Sequence, residues 1–108
     1  EFTLREKAVL RVAGQIVYAP EVEAAFYKFK GISEEAVIGV PDKMRGEAVK
    51  AFVVLEDGVE ATPHSLKYFL KEHLAHFKIP QSIEIRKALP KNRTGKIDKV
   101  LLSTGGQA

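Results

Sequence analysis

The chain predicts an α+β fold: a small three-stranded sheet packed with two main helices, plus an N-terminal β-hairpin. Three observations carry that reading. Two apolar runs, 36–40 and 48–55, flank a Pro41-Asp42 turn and read as buried strands. Two further stretches, opening at Pro20 and at Pro63, repeat apolar residues at helical spacing. At 108 residues the chain is long enough for one core and too short for two.

In order, residues 7–12 and 15–18 are β-leaning runs broken at Ala13-Gly14, which reads as a hairpin with a Gly-dependent bend. Pro20 suits a first helical position, and Glu21 and Glu23 favour the positive helix start. Val22, Phe26 and Phe29 then keep helical spacing until Gly31, giving a helix of about ten residues. In the second apolar strand Val49, Ala51, Val53 and Leu55 share one face. Lys50, Phe52 and Val54 share the other, so both faces are largely apolar. Thr62 caps the next helix, with Pro63 at its first position. Leu66, Phe69, Leu70, Leu74 and Phe77 form a stripe up to Pro80, which predicts the longest helix of the chain. Ile83 and Ile85 alternate with Ser82, Glu84 and Arg86 in a third main strand that leads into a basic loop. Ile97, Val100 and Leu101 suit one or two terminal helical turns. The domain is read as 1–102, and the tail 103–108, which carries no packing signal, is expected to be disordered.

No apolar run is long enough to cross a bilayer, and the start lacks a basic-then-apolar signal pattern, so a soluble domain is expected. Without Cys there is no disulfide framework and no thiolate nucleophile or ligand, which suits a cytoplasmic location. A net charge of +3 and a pI near 9.2 fall short of the continuous basic stripe of a dedicated nucleic-acid binder. The first residue is Glu1 rather than Met, which suggests a piece of a longer protein.

The unusual chemistry lies in Leu89-Pro90-Lys91-Asn92-Arg93-Thr94-Gly95-Lys96-Ile97-Asp98-Lys99. Pro90 stiffens the approach, Asn92 and Thr94 favour turns, and Gly95 frees the backbone beside Lys96. A cationic, glycine-containing loop suits a phosphate or carboxylate ligand. It is not a Walker loop, because Pro90 and Ile97 stand where that motif needs a Gly and a Ser or Thr. The competing reading is a solvated basic loop. His73 and His76 lie three apart on the helical stripe, but no third metal ligand accompanies them, and they and His64 read as helix-surface residues; no metal site is expected. Phe26 and Phe29 have core spacing rather than the look of a base-stacking platform.

Three stretches in order carry a resemblance to a known family. They are Arg5-Glu6-Lys7 through Gly14 to Tyr18-Ala19-Pro20-Glu21-Val22-Glu23, then Ala36-Val37-Ile38-Gly39-Val40-Pro41-Asp42 with Arg45-Gly46-Glu47, then Leu89-Pro90 through Thr94-Gly95-Lys96. Over nearly its whole length the chain resembles the C-terminal domain of the adenylate-forming superfamily, most of all that of acyl-CoA synthetases and other AMP-dependent ligases. The resemblance implies that Lys96 is catalytic, contacting the substrate carboxylate and the α-phosphate of ATP. It implies that Lys7 is the hinge about which the domain rotates between two half-reactions. Arg5 would help bind the nucleotide ribose, and Gly14 would line the tunnel for CoA or carrier-protein pantetheine. The implied cofactors are ATP with Mg²⁺ and CoA, bound mainly by a large N-terminal AMP-binding domain of the same enzyme, with a small carboxylic acid as substrate. Leu4 and Ala19-Pro20 depart from the family's usual Gly-Arg pair and Pro-Ala order, and Ile16 replaces a residue that is polar in many members.

Two other functions compete: a free-standing binding or regulatory module, and an anionic-surface or nucleic-acid binder using Lys87, Lys91, Arg93, Lys96 and Lys99. Without a partner surface the Lys96 loop is expected to be mobile, and the isolated chain inactive.

Overall fold

The computed structural model describes residues 9–104, so Arg5 and Lys7 lie outside the described residues. Strands β1 (Val9–Val12) and β2 (Gln15–Tyr18) form the hairpin, paired from Val9 opposite Tyr18 to Val12 opposite Gln15. Its turn uses positive φ at two successive residues, 52° at Ala13 and 81° at Gly14. That mirror-image turn matches the natural strand twist, and glycine adopts it without steric cost.

Strands β3 (Ile32–Asp42) and β4 (Gly46–Leu55) form a long antiparallel pair. Their turn is held by Asp42, whose Oδ2 accepts the backbone N–H of Met44 and of Arg45. Strand β5 (Ser82–Arg86) lies parallel to β4, from Ser82 opposite Lys50 to Arg86 opposite Val54. These are the three expected main strands. The hairpin joins them at Val12 opposite Gly46, so that one five-stranded sheet runs β2-β1-β4-β3 with β5 also beside β4. The junction is tightened by the Arg11 N–H on the Glu47 carboxylate and by the Ala13 N–H on the Arg45 carbonyl, both 2.8 Å.

Helix α1 (Ala19–Phe26) has Pro20 in its first turn and ends sooner than its apolar spacing predicts. Past Phe26 the N–H groups of Lys28 and Phe29 turn back to the carbonyls of Ala25 and Phe26, and the Phe29 ring meets Phe69 edge-on at 5.2 Å. Helix α2 (Pro63–Leu70) opens with a reciprocal cap in which Ser65 N–H reaches Thr62 Oγ1 and Thr62 N–H reaches Ser65 Oγ.

The expectation that α2 is the longest helix is corrected, since α1 and α2 both have eight residues. One further turn bonds Leu74 to Leu70, then Ala75 turns extended with ψ 152° and a 3-10 turn follows at His76–Lys78. Leu74, Phe77 and Ile79 still reach the core that Leu66 and Leu70 enter, so the stripe is divided between two elements. Packing of the whole molecule has overridden local helical periodicity. Helix α3 (Lys99–Ser103) is capped by Asp98 and extends through Ser103.

The sheet is covered on both faces. On one, Val37, Val49, Ala51, Val53 and Ile83 meet the hairpin and helices α1 and α2 through Leu10, Val17, Val22, Phe26, Leu66 and Leu70. On the other, Ala36, Ile38 and Phe52 lie under Leu89 and Leu102, with Ile97 and Val54 at the margin. The alternation along β4 therefore feeds two cores, and the second is roofed by the chain that follows β5.

Candidate catalytic loop

That roof is the basic loop and α3. Leu89, Pro90 and Leu102 are buried, whereas residues 91–96 are exposed. Burying a large apolar side chain contributes roughly 1.5–3 kcal/mol and an exposed ion pair at most about 1 kcal/mol. The base of the loop is thus anchored mainly by Leu89 and Leu102 against Phe52, and the ion pairs set its direction.

The loop is an organised turn. Lys91 and Ile97 pair across it in an antiparallel bridge. The Asn92 N–H donates to the Lys96 carbonyl at 2.8 Å, Gly95 N–H to the Asn92 carbonyl at 3.0 Å, and Asp98 N–H to the Pro90 carbonyl at 2.8 Å. Asn92 Oδ1 accepts Thr94 N–H at 3.0 Å, Thr94 O–H at 2.7 Å and Lys96 N–H at 3.1 Å. Gly95 sits at φ 87°, a left-handed conformation that an L side chain resists. The expectation of a mobile Lys96 loop did not include this internal bonding.

The four cations of the loop divide into two pairs. Lys91 Nζ contacts Glu34 Oε2 at 2.9 Å and Lys99 Nζ contacts Glu23 Oε2 at 2.6 Å. Among the described residues the side chains of Arg93 and Lys96 have no hydrogen-bond or ion-pair partner. Lys96 therefore stands at the exposed tip with its charge uncommitted, between two neutralised lysines. An uncommitted ammonium on a fixed backbone is suited to bind an anion.

On β3, on the side of α1, lies a feature that sequence reasoning overlooked. Glu35 on β3 is 7% exposed, and its Oε1 has no hydrogen-bond partner among the described residues. Burial pushes its carboxyl up to about 7, the Glu23 carboxylate adds to the rise, and Lys99 and the Tyr27 hydroxyl oppose it. A signal existed, since carrying the strand alternation backward from Val37 places Glu35 on the inward side. Next to Phe52, Arg86 and Lys50 lie over the ring at 4.9 and 5.0 Å, and both contact Glu84, whose carboxyl is held below its ordinary value chiefly by the Arg86 hydrogen bond.

Gly14 sits away from this loop, on the hairpin turn. A Cβ there would meet nothing within 4 Å, so no described residue demands a missing side chain, and the turn's backbone explains the glycine. Ala13 and Arg45 line a neighbouring cavity of about 230 Å³, together with Val12, His76 and Phe77. The hairpin's apolar side chains enter the first core and the Lys96 loop roofs the second, so the two candidate residues are carried by elements that pack into different cores. His73 stacks on Phe69 at 4.7 Å, and no group of three potential metal ligands occurs among the described residues. No helix of the described residues is long and apolar enough to cross a membrane.

Comparison with known proteins shows a family and a shared fold. The family described as "AMP-binding enzyme C-terminal domain" matches residues 21–96, a span that ends on Lys96. The long-chain-fatty-acid–CoA ligase of Bacillus subtilis is 46% identical over 93 residues, which is 86% of this chain and 17% of that protein. ATP-bound MatB from Rhodopseudomonas palustris superposes with a TM-score of 0.87 at 33% identity, covering 92% of this chain and 20% of the other. The amide bond synthetase McbA from Marinactinospora thermotolerans gives 0.86 at 33% identity, with 92% and 20% covered. The chain spans about a fifth of the length of the proteins it matches. With the match covering most of the residues that build both cores and the loop, the chain belongs to the AMP-binding enzyme C-terminal domain family.

Proposed function

We propose that this chain is the mobile C-terminal domain of an AMP-forming acid–thiol ligase, and that Lys96 supplies the ammonium for adenylate formation. The observation that carries the reading is the sorting of the loop's charges, with Lys91 and Lys99 paired and Lys96, together with Arg93, uncommitted among the described residues at the tip. In the reaction a carboxylate oxygen attacks the α-phosphorus of ATP, a new P–O bond forms, and pyrophosphate leaves with the electrons of the broken bond. Two anions must approach one another. An ammonium between them offsets the repulsion and holds the reacting atoms in line, which is most of what a protein contributes to phosphoryl-group chemistry.

In the second half-reaction a thiol sulfur attacks the acyl carbonyl and AMP leaves, so the cation is no longer needed. Gly14 and Lys96 are carried by elements that pack into different cores, which suits a domain that presents a different surface for each step. Lys7 is proposed as the hinge, Arg5 as a ribose contact, and the Gly14 turn as a wall of the path taken by the pantetheine arm of CoA. ATP and CoA would be held mainly by an N-terminal domain. Mg²⁺ needs oxygen ligands, and the exposed tip offers cations, so no described residue of the loop is assigned to the metal.

The test is Lys96→Ala in the full-length enzyme with the half-reactions measured separately. Pyrophosphate release is expected to fall by roughly 100- to 1,000-fold, while thioester formation from supplied acyl-adenylate changes little. Equal losses in both steps would make Lys96 structural.

A further inference from the structure

We propose that Asn92 is the positioning residue for the Lys96 ammonium, a proposal that rests on the adenylation role of Lys96. Both polar groups of the Lys96 peptide are held by this one residue. The Lys96 N–H donates to the Asn92 side-chain oxygen at 3.1 Å, and the Lys96 carbonyl accepts the Asn92 N–H at 2.8 Å. The same oxygen takes the N–H and the O–H of Thr94, and the Asn92 carbonyl takes Gly95 N–H. Three donors converge on Oδ1, which fixes the carboxamide's orientation, because its NH₂ group accepts nothing.

The fold itself does not depend on that oxygen. Leu89, Ile97 and Leu102 anchor the loop's ends in the second core, and the Lys91–Glu34 and Lys99–Glu23 pairs fix its flanks. Asn92 instead acts where the exposed tip has no apolar contact to hold it. With the Lys96 peptide immobilised at both polar groups, only the side-chain torsions of Lys96 remain to be ordered when substrates arrive. Without the oxygen, Lys96 N–H and both Thr94 donors lose their acceptor, only the backbone bonds of Asn92 to Gly95 and Lys96 remain, and the origin of the ammonium is less tightly fixed.

The experiment uses the full-length enzyme with Asn92→Ala, Asn92→Thr, Lys96→Ala and the double variant Asn92→Ala/Lys96→Ala. Threonine is neutral and still offers an oxygen at a turn position. Asn92→Ala is expected to slow adenylation on the order of 100-fold, as a misplacement of about 1 Å would, with thioester formation from supplied acyl-adenylate and the thermal midpoint nearly unchanged. Asn92→Thr is expected to recover most of the loss. In the Lys96→Ala background Asn92→Ala should cost nothing further, because it acts through the lysine. If Lys96→Ala abolishes adenylation while Asn92→Ala leaves it near wild type, or if the two losses multiply, the positioning role is overturned. If Lys96→Ala itself leaves adenylation intact, the reading of Lys96 fails first, and this proposal goes with it.

Discussion

Glu35 shows how one buried side chain sets a cost that the rest of the molecule carries. Its carboxyl, ordinarily near 4.5, is pushed up to about 7 by burial and by Glu23. Across that interval the folded chain keeps a proton that the unfolded chain has released. Stability from this group is therefore fully present below about 4.5 and is lost as the pH rises through 7. Glu35→Gln should raise the thermal midpoint of the chain at pH 8 and leave it nearly unchanged near pH 4.5. A gain of equal size at both pH values would show that the effect is not protonation. The prominence of Lys96 was legible in the sequence because Pro90 and Gly95 frame it, a combination that ordinary surface lysines lack. The work of Asn92 was not. Asparagine favours turns anywhere, and only the folded loop shows that one oxygen collects three donors.

The hairpin and the divided α2 stripe teach the same lesson at the scale of elements. The Ala13-Gly14 break, the Thr62-Pro63 helix start and the two-faced β4 are set by residues adjacent in sequence, and all were legible there. The stop at Leu70 was not, because Leu74 and Phe77 retain helical spacing, and the change of direction at Ala75 is decided by where the core lies. For the hairpin, the open space around Gly14 separates two roles of that glycine. Alanine and leucine pay the same conformational penalty at φ 81°, about 1 kcal/mol, but differ in bulk. In the full-length enzyme Gly14→Leu should obstruct thioester formation by at least tenfold more than Gly14→Ala, with adenylation spared in both. If the two variants behave alike in the thiol step, the turn's conformation is the whole reason for the glycine.

As a whole molecule, the described residues build two apolar cores and, on the proposed reading, carry only one edge of a catalytic centre. It is expected to fold alone, to bind ATP weakly if at all, and to form no adenylate, because one ammonium without a facing surface recovers too little of the cost of association. Calorimetry with ATP and Mg²⁺ and a pyrophosphate-exchange assay check both statements. Micromolar binding, or exchange by the chain alone, would favour a free-standing module instead. The bond between Lys99 and Glu23 has a further consequence at this scale. Helix α1 packs on one side of the sheet and α3 on the other, and β3, the end strand that both contact, runs between them. The 2.6 Å pair joining the helices must pass around the outer margin of β3, and Lys91 on Glu34 ties the loop to β3 itself. An eleven-residue end strand whose outer edge pairs with no described strand is an invitation to a passing copy of the chain. The struts that aim the loop thus also serve as a guard rail against strand-to-strand self-association.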